Sequence, residues 1–69
     1  MVQEDAHRIH EYLVHKAQEG VATEEEILSN LGLTRDEYQR ACRLLERMGN
    51  IEEDITSDQR PYIQIKLPS

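Results

Sequence analysis

The feature that most constrains the fold of this chain is the position of its glycines, each of which follows an amphipathic segment. There are three of them, Gly20, Gly32 and Gly49. A glycine just past a helix adopts the left-handed backbone conformation that closes the last turn, because it has no Cβ atom to clash there. The glycines therefore predict where three helical segments end.

Two helix starts are marked by the pattern Thr-x-x-Glu, at Thr23-x-x-Glu26 and Thr34-x-x-Glu37. In such a capping box the threonine hydroxyl accepts a hydrogen bond from a backbone N–H of the first turn. The glutamate carboxylate in turn accepts one from the threonine N–H. The second box begins two residues after Gly32. Residues 23–48 are therefore predicted to form a helix, a tight turn and a second helix.

Hydrophobic periodicity supports three helices, because apolar residues recur at the three- and four-residue spacing of one helical face. The first helix is predicted over about residues 3–18, the second over about 24–30 and the third over about 35–48. Val21 and Ala22 fit either a short strand or an extended link. The residues expected to face the core are Val2, Ala6, Ile9, Leu13 and Ala17 in the first helix, Ile27, Leu28 and Leu31 in the second, and Tyr38, Ala41, Cys42, Leu45 and Met48 in the third.

After Gly49 the period of the apolar residues changes to two, which is typical of β-strands. The alternating segments lie on both sides of the polar sequence Thr56–Pro61, which is rich in turn-forming residues. We therefore expect an antiparallel hairpin over about residues 51–67. Its packed face is predicted to carry Ile51, Ile55, Ile63, Ile65 and Leu67.

Three helices followed by a hairpin resemble the winged helix-turn-helix superfamily. The stretches that carry the resemblance are Val21–Leu28, Leu31–Arg35, Ala41–Ile51 and Arg60–Ile63, and the resemblance in layout covers nearly the whole chain. The resemblance implies an α+β fold in which residues 1–69 form one domain, with three helices followed by a two-stranded antiparallel wing. It also implies that the third helix enters the major groove of DNA. Other winged helices serve as protein-docking modules.

Composition and charge limit the class of protein. The 69 residues fit one small domain, and no apolar run approaches the roughly 18–20 residues that a membrane span needs. The acidic first residues do not match a secretory signal, and the single cysteine, Cys42, fits a reducing cytoplasm. The formal net charge is −6, with seven acids and two bases in residues 1–33 but seven acids and six bases in residues 34–69. Positive charge is therefore concentrated on or after the third helix.

The third helix carries the main candidate for a binding surface. Arginine donates two parallel hydrogen bonds to phosphate or to the guanine edge, and glutamine pairs with adenine. On a helical wheel, the side opposite the apolar stripe holds Asp36, Gln39, Arg40, Arg43 and Arg47, with Arg35 beside them. Arg40 and Arg43 are expected to supply affinity, and Arg35 and Gln39 to read bases. With Arg60 at the hairpin tip, the predicted DNA-binding residues are Arg35, Gln39, Arg40, Arg43, Arg47 and Arg60.

The same side of the third helix has an alternative interpretation as ordinary solvated surface. The spacings Asp36–Arg40 and Arg43–Glu46 suit ion pairs that stabilise a helix by roughly 0.2–0.5 kcal/mol each. Neighbouring arginines repel each other by a similar amount, which favours a surface that meets an anion. The acidic run Glu52–Asp54 at the base of the hairpin opposes phosphate binding unless it points away from the third helix.

The first helix carries His7, Glu11 and His15 roughly along one outward face. A transition metal is conceivable there, but three histidines on an exposed helix are usually polar surface, so no metal and no other cofactor is expected. Val14 on that face is either an isolated exposed valine or part of a homodimer seam.

The sequence contains no recognisable catalytic set, phosphate-binding glycine loop or metal-spacing motif, so an enzyme is not expected. Two functions remain. The first is a DNA-binding module, acting in transcriptional regulation or as part of a DNA-processing protein. The second is a protein-interaction winged helix of a replication or scaffold assembly, with little or no DNA binding. The acidic total charge favours protein docking, and the arginines of the third helix favour DNA.

Overall fold

In a computed structural model, which describes residues 2–66, the chain forms three α-helices and a three-stranded antiparallel sheet. The elements in chain order are α1 (Val2–His15), β1 (Val21–Thr23), α2 (Glu24–Leu31), α3 (Arg35–Arg47), β2 (Ile51–Ile55) and β3 (Pro61–Ile65). The predicted α+β class and the three helices are confirmed. The first helix ends at His15 and not near residue 18, and a 3₁₀ turn over Gln18–Gly20 leads into β1. The arrangement is consistent with a winged-helix-like fold.

The sheet contains three strands and not the two that the sequence predicts. β3 lies in the middle and pairs with β1 on one side and with β2 on the other. The three residues of β1 pair with Tyr62–Gln64. The extended-link alternative for Val21 and Ala22 is therefore wrong, and the predicted hairpin is only part of the sheet.

The two predicted capping boxes have different outcomes. At the start of α3 the box is complete, because Thr34 Oγ1 accepts from the Glu37 N–H at 3.1 Å and Glu37 Oε1 accepts from the Thr34 N–H at 2.9 Å. At the start of α2 only half of the box forms. Thr23 Oγ1 accepts from the Glu26 N–H at 3.2 Å, but the Glu26 carboxylate accepts from the hydroxyl of Tyr12 at 2.6 Å. The glutamate that was expected to close the turn thus joins α2 to α1.

The core lies between the three helices and one face of the sheet. Its buried apolar residues are Ala6, Ile9, Leu13, Ala22, Ile27, Leu33, Tyr38, Ala41, Cys42, Leu45, Ile51 and Ile63. Ala17, Leu28, Leu31 and Ile65 are partly buried against this core. Val2 and Met48, which are predicted to face inward, are 39% and 62% exposed. Both lie at helix ends, where the helical period continues but no neighbouring element covers the side chain.

The β2–β3 hairpin keeps the predicted alternation, but its packed face is only half covered. The register opposes Ile51 to Ile65 and Ile55 to Pro61, so these residues share a face with the buried Ile63. Ile55 is nevertheless 62% exposed, against the prediction. At this end the inward face of the hairpin borders an open groove that Tyr38 and Gln39 of α3 also line, so Ile55 stays in contact with solvent. Leu67 lies outside the described residues.

Two glycines are required for different reasons. Gly32 has φ 68° and donates its N–H to the Leu28 carbonyl at 3.0 Å, which closes α2 as expected, and a Cβ atom there would meet open space. Gly20 has φ 71°, and a Cβ atom there would overlap Ile65 Cγ2. Gly20 therefore serves both the turn and the close packing of that turn against β3.

Candidate nucleic-acid interface

The outward side of α3 is solvent-exposed along its whole length. Its exposed polar residues are Arg35, Asp36, Gln39, Arg40, Arg43, Glu46 and Arg47. At about 100° per residue, Arg40, Arg43 and Arg47 lie within roughly 60° of one another around the helix, and Gln39 and Glu46 lie on the other side of Arg43. We call Arg40, Arg43 and Arg47 the arginine stripe. Its formation depends on the complete cap at Thr34, which fixes where α3 begins.

Two of the predicted DNA-binding arginines are held by carboxylates of the protein itself. Arg40 forms an ion pair of 3.2 Å with Asp36, one turn earlier on α3. Arg35 reaches across to Glu24, in the first turn of α2, at 3.7 Å. Among residues 2–66, Arg43 and Arg47 form no ion pair. The positive charge that is most available to a ligand is therefore in the second half of α3.

The expected ion pair between Arg43 and Glu46 does not form within the described residues. The carboxyl of Glu46 lies beside that of Glu53 on β2. Partial burial raises the pKa of Glu53 above its usual value, and the Glu46 carboxyl raises it further, while Arg43 opposes the shift. Glu53 therefore faces α3, and the side of α3 that looks toward the hairpin is acidic.

The other two members of the acidic run, Glu52 and Asp54, lie on the opposite face of β2 from Glu53, because successive side chains of a strand point to opposite faces. The Glu52 carboxylate approaches Lys66 Nζ at 3.7 Å. Asp54 Oδ1 accepts a hydrogen bond from the Ile55 N–H at 2.7 Å, which fixes its carboxylate beside the strand. The acidic run thus does not point away from α3 as a whole, and a phosphate between α3 and the hairpin would meet Glu53.

An open groove of about 470 Å³ separates the hairpin from the start of α3. We call it the under-wing groove. Its lining is apolar at Tyr38, Ile55, Pro61, Tyr62 and Ile63, polar at Gln39, and acidic at Glu24, Glu53 and Asp54. Within the part of the chain that the structure describes, no lysine or arginine lines it. Gln39, which is predicted to read adenine, therefore borders this groove and not only the arginine stripe.

Arg60 is exposed in the loop that joins β2 to β3, as expected for a hairpin tip. The loop is held by the Thr56 N–H, which donates to the Arg60 carbonyl at 2.9 Å, and by the Arg60 N–H, which donates to Thr56 Oγ1 at 3.1 Å. Gln59 takes the positive φ of 62° that the turn requires. Arg60 is thus presented on an ordered turn, apart from the arginine stripe.

Two of the three histidines of α1, His7 and His15, pair with the same carboxylate. His7 Nε2 lies 3.7 Å from Glu11 Oε1, and His15 Nε2 lies 3.2 Å from Glu11 Oε2. Within the part of the chain that the structure describes, no three His, Cys, Asp or Glu side chains are grouped as a metal ion would need. Val14, nearby on α1, is 49% exposed.

One contact that sequence analysis did not anticipate involves Arg8. Its guanidinium donates to the Leu31 carbonyl at 2.7 Å, at the last residue of α2. A cation at a helix C-terminus satisfies a free carbonyl and complements the helix dipole. Arg8 therefore has a structural role, and no local pattern in the sequence could have revealed a partner 23 residues away.

Cys42 is confirmed as a core residue, with none of its surface exposed. Burial raises the pKa of its thiol to about 12. The thiol is therefore protonated at neutral pH, which is the inert state of a structural cysteine.

Comparison with known protein families, with curated proteins and with solved structures finds no match. Among residues 2–66, none of the helices is both long and apolar enough to cross a membrane.

Proposed function

We propose that this chain is a non-catalytic winged-helix-like module that binds duplex DNA through α3 and the hairpin loop. The observation that carries the proposal is the pair Arg43 and Arg47, one helical turn apart and without ion-pair partners among residues 2–66. Like charges at this spacing destabilise a helix in isolation. A phosphate bound between them would convert that repulsion into two charge-assisted hydrogen bonds.

The other predicted DNA-binding arginines differ in how readily each can contact the DNA. Arg40 can turn from Asp36 to a phosphate at small cost, since an exposed ion pair contributes only about 0–1 kcal/mol. Arg35 must leave Glu24 before it can read a base. Arg60 is free to meet the backbone from the hairpin loop. We therefore propose about three or four phosphate contacts and weak binding by a single copy.

We also propose the biological process in which this DNA-binding module acts. A module of this kind would act in transcriptional regulation or as part of a DNA-processing protein. The unpaired, buried thiol of Cys42 is compatible with a reducing cytoplasm.

Weak binding by one copy would be compensated by a homodimer, and the exposed Val14 on α1 offers a dimer interface. Sedimentation equilibrium of the wild type and Val14→Glu tests the dimer, which the substitution should dissociate.

The experiment that tests DNA binding is a titration with mixed-sequence duplex at low salt, in which backbone amide shifts are followed residue by residue. We expect backbone amide shifts in residues 40–47 and 58–62. On α1 we expect only small shifts, except at a dimer interface. An absence of shifts at protein concentrations near a millimolar would contradict it. Shifts spread evenly over the surface would also contradict it.

A second candidate function, protein docking with little or no DNA binding, is favoured by one observation. The carboxylate of Glu53 faces α3, beside Glu46, on the side where the DNA backbone would pass between helix and hairpin. Phosphate is repelled there, whereas a basic protein segment is attracted. The same titration separates the two candidates, because docking predicts no duplex-dependent shifts in α3.

A further inference from the structure

The under-wing groove holds apolar surface that the fold itself leaves uncovered. Ile55 is 62% exposed although it shares a hairpin face with the buried Ile51 and Ile63. Pro61, directly opposite Ile55, is also exposed. An isolated exposed isoleucine needs no explanation, but here it is continuous with Pro61 and the partly buried Tyr62 in one concave surface. Such a rimmed apolar surface suits a partner side chain.

The charge of the groove selects the chemistry of what could fill it. Three acidic residues line it, Glu24, Glu53 and Asp54, and among residues 2–66 no lysine or arginine does. Glu24 is satisfied in part by Arg35, and Asp54 is held in place by the Ile55 N–H. Glu53 is the least compensated, because Glu46 stands beside it and only Arg43 opposes the repulsion. A phosphate or a carboxylate is therefore repelled from the groove, and a cation is attracted.

We infer that the under-wing groove is a docking site for an extended segment of a partner protein that carries an arginine next to an aliphatic residue. The aliphatic side chain would cover Ile55 and Pro61, and the guanidinium would lie beside the Glu53 carboxylate, on the same face of β2 as Ile55. Arginine fits better than lysine, because its planar fork bonds two carboxylate oxygens at once and its stem packs on apolar surface. The inference deepens the second candidate function and does not require α3 to bind DNA.

The test uses the full chain and a synthetic peptide of alternating arginine and leucine, with binding followed by fluorescence anisotropy. Glu53→Gln should weaken peptide binding by up to about fivefold, the factor that corresponds to about 1 kcal/mol, because an exposed ion pair contributes no more than that. Ile55→Ser should weaken it independently of charge. The matched control, Glu25→Gln, removes one negative charge from an exposed position outside the groove lining and should change affinity little.

Equal weakening by the groove variant and the control would overturn the inference, because binding would then follow net charge alone. Wild-type affinity in Ile55→Ser would overturn it as well. If duplex DNA displaced the peptide and shifted the backbone amides of residues 53–55 itself, the assigned partner would be contradicted. Arg43→Ala with Arg47→Ala should not weaken peptide binding, because loss of Arg43 leaves Glu53 less compensated, so failure of the DNA proposal and failure of this inference are distinguishable.

Discussion

The hydroxyl of Tyr12 on α1 donates a 2.6 Å hydrogen bond to the carboxylate of Glu26 on α2. This bond raises the pKa of Tyr12 and takes the Glu26 side chain away from the start of its own helix. In place of a local capping interaction, Glu26 thus makes a contact between two helices, with a residue 14 positions away in the sequence. The exchange positions α2, whose first turn supplies Glu24 to the under-wing groove.

Tyr12→Phe is expected to lower the free energy of unfolding by about 0.5–1.5 kcal/mol. This range covers the usual net value of one hydrogen bond and reaches the lower limit for a bond to a charged group. Part of the loss should be recovered, because the released Glu26 can complete the capping box with the Thr23 N–H. Urea denaturation of Tyr12→Phe, Glu26→Ala and the double variant measures the coupling. Strict additivity of the two single effects would show that the hydrogen bond does not contribute to stability.

Gly20→Ala should destabilise the fold more than Gly32→Ala. Both sites have positive φ, and a non-glycine residue there costs about 1–2 kcal/mol. Only at Gly20 does the new methyl group also meet Ile65, and such overpacking costs roughly a further 1–3 kcal/mol. Thermal unfolding of the two variants under identical conditions checks the order. Equal melting temperatures would contradict the close approach of Gly20 to β3.

Glu53→Gln should stabilise the fold at neutral pH. The pKa of Glu53 is raised by partial burial and then by Glu46, so the folded protein binds this proton more tightly than the unfolded chain. The stability that the group contributes is therefore full below the usual pKa of 4.5 and falls as pH rises through the raised value. The gain should be about 0.5 kcal/mol or less, because water screens these mostly exposed carboxylates.

Melting temperatures of the wild type and Glu53→Gln at neutral pH and below pH 4 measure this effect. The difference should vanish in acid, where both proteins carry a neutral group at residue 53. Glu25→Gln, at an exposed position of α2, is the control for loss of one negative charge. The same gain for Glu53→Gln at both pH values would contradict an electrostatic origin.

The sequence predicted the helices well because their signals are local. The Thr34 capping box and the glycine after α2 lie within a few residues of the ends that they mark. β1 was left open because three residues are too few for a periodic pattern, and its pairing partner is about 40 residues away. The exposure of Ile55 was missed for a related reason. Alternation assigns a face of the strand, but the packing of neighbouring elements decides whether that face is covered.

The candidate site was predictable in composition but not in its electrostatics. A helical wheel places the arginine stripe opposite the core because Tyr38, Ala41 and Leu45 define the buried side. It does not reveal that Glu24 holds Arg35, since that contact joins two helices. Nor does it reveal that Glu53 faces α3, because the orientation of β2 against α3 is a tertiary property. Pairing across elements therefore decides which charges a ligand meets.

The measurement that tests the central proposal most directly is the salt dependence of duplex binding by Arg43→Ala with Arg47→Ala. The matched control is Lys16→Ala with Lys66→Ala, which removes two positive charges away from α3. If α3 binds the phosphate backbone, the arginine variant should bind at least about tenfold more weakly at low salt. Its log–log salt slope should also shrink by roughly 1.8, or about 0.9 for each lost contact, whereas the control keeps the wild-type slope. Equal affinity and equal slope in the two double variants would contradict DNA binding by α3.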